Sequence, residues 1–325
     1  MALDEATQAF LKQMAEAGGK PLHERTPGEA RAMGAALGEL AGKGPEMWRV
    51  AEHSLGEPGA RFLARELVPV AAPEGIIVYF HGGGWVTGHI DQFDTLARRL
   101  AERTRCTVVL VNYRKAPEHP YPAAVVDAWE AVRWAAAGSG GGDGRALPVI
   151  VAGDSAGGNL AAVVALRARD AGGPPIALQV LVYPVTDADL NTPSYTDPAN
   201  ALLLTREGMN WYFDHYAAVS ERSRPDISPL RAEDLSGLPP AVLLLAEHDV
   251  LRTEQDAYGA ALARAGVETE VEVVPGQTHG FFSMVNILPG QETGLAFVSA
   301  RIRDRLSCTA PAAEAKKGKS SADFC

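Results

Sequence analysis

Gly153-Asp154-Ser155-Ala156-Gly157 constrains this chain more than any other stretch. The apolar run Val149-Ile150-Val151-Ala152 leads into it, and an Ala-rich helical run from Asn159 to about Arg169 leads out. Strand, sharp turn and helix in that order hold a serine in a strained backbone conformation, with its hydroxyl above the end of a sheet. The flanking glycines leave room where a Cβ would strike the neighbouring strand or helix. Gly-x-Ser-x-Gly alone is a weak signal. In this context it marks Ser155 as a candidate nucleophile.

A second motif strengthens the first. His81-Gly82-Gly83-Gly84-Trp85 follows the apolar run Ile76-Ile77-Val78-Tyr79-Phe80. Loops of this type contribute backbone N–H groups to an oxyanion hole. Acyl transfer builds negative charge on a carbonyl oxygen, and donors fixed in advance stabilise it without reorganising. Loss of one such donor costs on the order of 3 kcal/mol. Gly83, Gly84 and Ala156 are the expected donors. A phosphate-cradling loop is disfavoured, because no Gly-Lys-Ser/Thr follows.

A serine nucleophile needs a base, and the base needs an orienting acid. In folds with this elbow the chain order is Ser, then Asp or Glu, then His. Only His215, His248 and His279 follow Ser155. The apolar run Val242-Leu243-Leu244-Leu245-Ala246 reads as a buried strand. Glu247-His248-Asp249 stands at its C-terminal end, where α/β sheets place functional groups. With Asp249 as the acid, His279 is the one histidine left downstream, in a loop after the strand-like stretch Thr269 to Val274. Glu247, nearer the strand, and Asp256, inside the following helical stretch, are rival acids.

These residues together resemble the bacterial hormone-sensitive-lipase family of α/β-hydrolases, the family IV esterases. The likeness spans residues 1 to about 306 and includes Asn112-Tyr113-Arg114-Lys115-Ala116-Pro117-Glu118, Leu181-Val182-Tyr183-Pro184 and Asp249-Val250-Leu251-Arg252. Lys115 departs from the family's usual leucine, and Thr253 from its frequent aspartate. Asp before the nucleophile is similar to the Gly-Asp-Ser-Ala-Gly subgroup. The resemblance implies a triad of Ser155, Asp249 and His279, and an α/β-hydrolase fold of about eight mostly parallel strands flanked by helices. It also implies a helical cap made from the N-terminal helices and an insertion.

The expected organisation follows. Residues 1–45 form an N-terminal helical cap segment, with helices from Glu5 to Ala17 and Pro27 to Leu40. Residues 46–186 and 226–307 form the two parts of the core. It opens on a strand pair, Met47 to His53 and Ala60 to Val68. Residues 187–225 form the cap insertion, with a helix from Arg206 to Ala218. Gly138 to Gly144 reads as a surface loop and residues 308–325 as a disordered tail. Met209, Trp211 and Phe213 on the cap helix, with Trp85 and Phe281 beside the two catalytic loops, are candidate substrate-pocket residues. Packing within the cap is an equal alternative for the cluster Trp211 to Phe213.

Other classes are set aside by composition. A formal net charge of −10 argues against nucleic acid or anionic membrane as a partner. The acidic N-terminus lacks the features of a signal peptide. The three cysteines are unpatterned, which suits a cytoplasmic location. The histidines show no metal-ligand spacing, so no metal and no cofactor are expected. His81 and His119 read as structural. The expected activity is hydrolysis of short- to medium-chain acyl esters by a serine carboxylesterase. An amidase, carbamate hydrolase or deacetylase of a small metabolite would use the same triad. A non-catalytic small-molecule binder is the third reading, disfavoured because related plant receptors lack the catalytic histidine that His279 supplies here. A homodimer is expected by resemblance only.

Overall fold

A computed structural model describes residues 2–138 and 146–309. The glycine-rich loop expected before Val149, beyond Gly138, and the tail from residue 310 lie outside the described residues. The elements run α1 (Glu5–Ala17), α2 (Pro27–Glu39), β1 (Arg49–Leu55), β2 (Phe62–Val68), β3 (Ile76–Phe80), α3 (Ile90–Thr104), β4 (Thr107–Asn112), α4 (Ala123–Gly138) and β5 (Val149–Asp154). They continue through α5 (Ala156–Asp170), β6 (Leu178–Val182), α6 (Pro193–Thr196), α7 (Arg206–Tyr216), β7 (Ala241–His248), α8 (Arg252–Arg264), β8 (Thr269–Thr278) and α9 (Pro289–Thr309).

Local chemistry sets several of these boundaries. Asp4 caps α1 by accepting from the Thr7 amide at 2.7 Å. Thr26 and Glu29 form a reciprocal capping box at the start of α2, with bonds of 3.2 and 2.8 Å. β3, β4, β5, β6 and β7 are apolar runs with both faces covered, as parallel strands under helices require. α7 stops at Tyr216, two residues short of the sequence expectation, and β8 runs four residues longer, through Pro275 and Gly276 to Thr278. α9 carries the chain past residue 307 to Thr309.

The eight strands form one sheet in the order β1-β2-β4-β3-β5-β6-β7-β8. β1–β2 and β2–β4 pair antiparallel, and the remaining pairs are parallel. One apolar core lies on each face. Val78, Phe80, Val109 and Val151 point into the first, and Ile77, Tyr79, Leu110 and Ile150 into the second, as the two-residue period of a strand dictates.

The strand order decides where a site can form. From β3 the chain moves to β4 on one side and then to β5 on the other. The loops leaving β3 and β5 therefore diverge and open a crevice at the C-terminal ends of the strands, the usual ligand position in such sheets. The His-Gly-Gly-Gly loop leaves β3 and the serine elbow leaves β5. Among the described residues no helix is long and apolar enough to cross a membrane.

Candidate active site

Ser155 sits between the last residue of β5 and the first of α5, with φ of 56° and ψ of −120°. A side chain there is strained. Its backbone is pinned on both sides: the amide donates to the Val182 carbonyl at 2.9 Å, and the carbonyl accepts from the Asn159 amide at 3.0 Å. Gly157 makes this turn possible. A Cβ there would overlap the Phe80 carbonyl, so α5 could not start so close to β3.

β7 and β8 bring the partners. Asp249 follows the last residue of β7, and His279 follows the last residue of β8. His279 Nδ1 lies 2.7 Å from Asp249 Oδ2, and Nε2 lies 2.9 Å from Ser155 Oγ. The buried carboxylate accepts from Nδ1–H, which assigns the tautomer that leaves Nε2 as an acceptor for the serine hydroxyl. Asp249 is itself held. Its Oδ1 accepts from the Leu251 amide at 2.9 Å, and its Oδ2 also accepts from Gln255 Nε2 at 3.1 Å.

The rival groups have other partners. Glu247 accepts from the Gly276 amide at 2.8 Å, which holds its carboxyl below the usual range. Asp256 pairs with Arg252 along α8 at 2.9 Å. His215 bonds the Trp211 carbonyl within α7. Each is thus held by a partner other than Ser155 or His279.

The glycine loop is fastened to the elbow. Asp154 Oδ1 accepts from the Gly82 amide at 3.0 Å and from the Tyr79 hydroxyl at 2.8 Å. Burial pushes the Asp154 carboxyl up to about 6. The turn closes when Val86 and Thr87 amides donate to the Gly83 carbonyl. That leaves the Gly83 and Gly84 amides without an acceptor among the described residues. Ala156 opens α5, so its N–H has no partner within the helix. His81 is fully buried, stacked between Phe93 and Tyr113, and Nδ1 lies 2.7 Å from the Gly82 carbonyl. Burial holds its imidazole neutral, which fits a structural part.

Ser155, His279, Gly83 and Gly84 stand at the polar end of a cavity of about 270 Å³. Its apolar walls come from Phe10 and Met33 of the N-terminal helices, from Leu22, from Leu204, Met209 and Tyr212 of the insertion, and from Met284 and Ile287. Of the pocket residues expected from sequence, Met209 lines this cavity, and Trp85, Trp211, Phe213 and Phe281 do not. Trp85 is fully buried and stacks on Tyr216 at 4.3 Å, beside Phe213. Trp211 faces a different cleft with His23 and Arg206. Phe281 packs edge-on against Tyr183. Within α7, Met209 and Tyr212 line the cavity, Trp211 lines the other cleft, and Phe213 is fully buried beside the Trp85 ring.

Tyr212, the middle residue of the Trp211 to Phe213 cluster, is the aromatic of that cluster that lines the cavity. Its ring lies against Gly84, where a Cβ would overlap it. Gln255 was missed, because one glutamine at the start of a helix carries no signal. The insertion is tied to the loop bearing Asp249. Ser194 and Thr253 exchange amide-to-hydroxyl bonds of 3.1 Å, and the Ser194 hydroxyl donates to the Val250 carbonyl at 2.6 Å. Thr253, a departure from the family pattern, has this structural part. Among the described residues no cluster of His, Cys, Asp or Glu could hold a metal ion.

Comparison with known proteins agrees with this geometry. A family model described as the alpha/beta hydrolase fold matches residues 77–283. Esterase LipI of Mycobacterium tuberculosis is 37% identical over 309 residues, covering 93% of this chain and 90% of its own. Ethyl acetate hydrolase of Pseudomonas putida is 35% identical over 325 residues, covering 94% of this chain and 100% of its own. The crystal structure of a hyperthermophilic esterase from the archaeon Pyrobaculum calidifontis superposes with a TM-score of 0.86 at 34% identity, over 93% of this chain and 98% of that one. With a nucleophile elbow, a glycine loop and a sheet of this order, the chain belongs to the α/β-hydrolase family, in its hormone-sensitive-lipase-like branch of family IV esterases.

Proposed function

We propose that this protein is a serine carboxylesterase acting on short- to medium-chain acyl esters, with Ser155 as nucleophile, His279 as base and Asp249 as orienting acid. The observation that carries this reading is the continuous hydrogen-bonded line from Ser155 Oγ through the His279 ring to Asp249 Oδ2, at the polar end of an apolar cavity. His279 Nε2 takes the serine proton as Oγ attacks the ester carbonyl. Amides of Gly83, Gly84 and Ala156 hold the oxyanion. The imidazolium, steadied by Asp249, gives its proton to the departing alcohol oxygen as the C–O bond breaks. Water then attacks the acyl-serine with His279 again as base, releasing the acid and restoring the hydroxyl. No cofactor takes part. Residues 1–45 and 187–225 act as the cap that shapes the acyl space. Relatives whose names record ester hydrolysis favour esters over amides.

The test is Ser155→Ala with a phosphonate probe. Turnover of a chromogenic butyrate ester should drop by several orders of magnitude with the fold unchanged. In the wild type the phosphonate should label Ser155, seen by peptide mass spectrometry. Labelling at any other serine would sink the assignment.

A further inference from the structure

A second cleft, of about 610 Å³, lies on the far side of the glycine loop. Gly88 and Gln92 line both it and the catalytic cavity, so the two are back to back. Its walls carry four cationic side chains, Arg31, Arg61, Arg114 and Lys115, and one carboxylate, Glu118. That is an unusual balance in a chain of net charge −10.

Two of the cations are already neutralised. Arg31 grips Glu118 with two nitrogens, at 2.8 and 2.6 Å, and also donates from Nε to the Val86 carbonyl and from Nη2 to the Ala116 carbonyl. Arg114 holds the buried Asp127 at 2.7 Å. Lys115 and Arg61 have no such partner. Lys115 Nζ donates to two neutral acceptors, Asn112 Oδ1 at 2.7 Å and the Tyr113 carbonyl at 3.0 Å. Arg61 donates to the Ser54 carbonyl at 3.3 Å. Among the described residues neither has a carboxylate within ion-pair distance.

A desolvated cation without a counter-charge is unfavourable. Burial and then the nearby Arg31 pull the Lys115 ammonium down to about 8, against a smaller opposing pull from Asp127 and Glu118, which lie beyond ion-pair distance. An anion arriving beside it would favour the charged form further and gain a charge-assisted bond in a half-buried setting. The surroundings also say what kind of anion. Phe62 and Leu63 supply apolar wall.

We propose that this cleft binds a small organic carboxylate, with its anionic end on Lys115 and Arg61 and its apolar end against Phe62 and Leu63. The assignment is independent of the reaction proposed for Ser155. It accounts for Lys115, which replaces a family leucine and has no part in the triad.

Calorimetric titration of benzoate, benzyl alcohol and inorganic phosphate into wild-type protein, Lys115→Leu and Arg61→Gln tests it. The dissociation constant for benzoate should rise roughly tenfold or more in Lys115→Leu and severalfold in Arg61→Gln. Benzyl alcohol, which lacks the charge, should not distinguish the three proteins. Should Lys115→Leu not fold, Arg61→Gln carries the test, because Arg61 is exposed on the surface. Equal benzoate affinity across the proteins would overturn the site. Phosphate binding as tightly as benzoate would overturn the choice of ligand.

Discussion

Asp154 Oδ1 accepts the Gly82 amide at 3.0 Å, so the residue before the candidate nucleophile holds the loop that carries the oxyanion donors. The two motifs lie 72 residues apart in sequence, and this bond joins them where β3 and β5 end side by side. The arrangement makes Asp154 a positioning residue for Gly83 and Gly84.

Asp154→Leu should therefore lower kcat by about 10- to 100-fold, the effect of losing a hydrogen bond to a charged group. Asp154→Asn keeps an acceptor oxygen for Gly82 and Tyr79, and should retain most of kcat. Steady-state kinetics on both variants check this. Equal loss in the two would mean that charge and not position is what matters.

The same carboxyl sets a pH dependence of stability. Folded, Asp154 keeps its proton up to about 6; unfolded, it releases it near its ordinary value of 3.8. Between those values the folded state holds more protons, so its contribution to stability falls as pH rises and levels off above 6. Asp154→Asn removes this term. The variant should gain on the order of 1–3 kcal/mol over wild type between pH 4 and pH 7. Urea unfolding at a series of pH values measures the difference, and a gap that does not change with pH would refute it.

Gln255 should matter through Asp249. Its amide donates to the same oxygen that receives His279. Gln255→Leu should lower kcat by about tenfold with KM little changed, since the lost bond orients the acid and touches no substrate. Gln255→Glu should be worse, because two buried carboxylates repel. A rise in KM alone would place Gln255 at the substrate instead.

Gly84 and Tyr212 should be coupled. Gly84 has φ of 57°, and a Cβ there would meet the Tyr212 ring. Gly84→Ala should cut kcat/KM sharply. Tyr212→Ala in the same chain should recover part of the loss, the steric part, while the backbone strain remains. Additive effects in this double-mutant cycle would show that the two do not touch in solution.

The cavity walls predict a chain-length limit. Each buried acyl methylene adds at most about 0.8 kcal/mol until the space is filled, and acyl groups of about two to eight carbons should give the highest kcat/KM. A chromogenic ester series from acetate to palmitate measures this. A maximum at palmitate, or a jump in rate when micelles form, would contradict it.

Much of the site was legible because its chemistry imposes local rules. The elbow needs glycine around Ser155, the oxyanion loop needs glycine at Gly83 and Gly84, and chain order singles out His279. Apolar runs bounded by Gly and Pro announced the parallel strands, and Thr26-Pro27 with Glu29 announced the start of α2. The sequence by itself thus determined the fold family and the candidate nucleophile, base and donors. The sequence favours Asp249 over Glu247 and Asp256, and the structure supplies the geometric reason: Asp249 reaches His279 Nδ1, while Glu247 turns to the Gly276 amide and Asp256 pairs with Arg252 inside α8. The pocket lining needed the structure. Trp85 and Phe213 look like substrate contacts in sequence, yet a large aromatic ring beside a site can pack inward or outward. That is decided by helix rotation and by neighbours such as Tyr216, which come from distant parts of the chain. That Lys115 bonds neutral acceptors and no carboxylate was equally invisible, because an ion pair is a distance and sequence records only which charges exist.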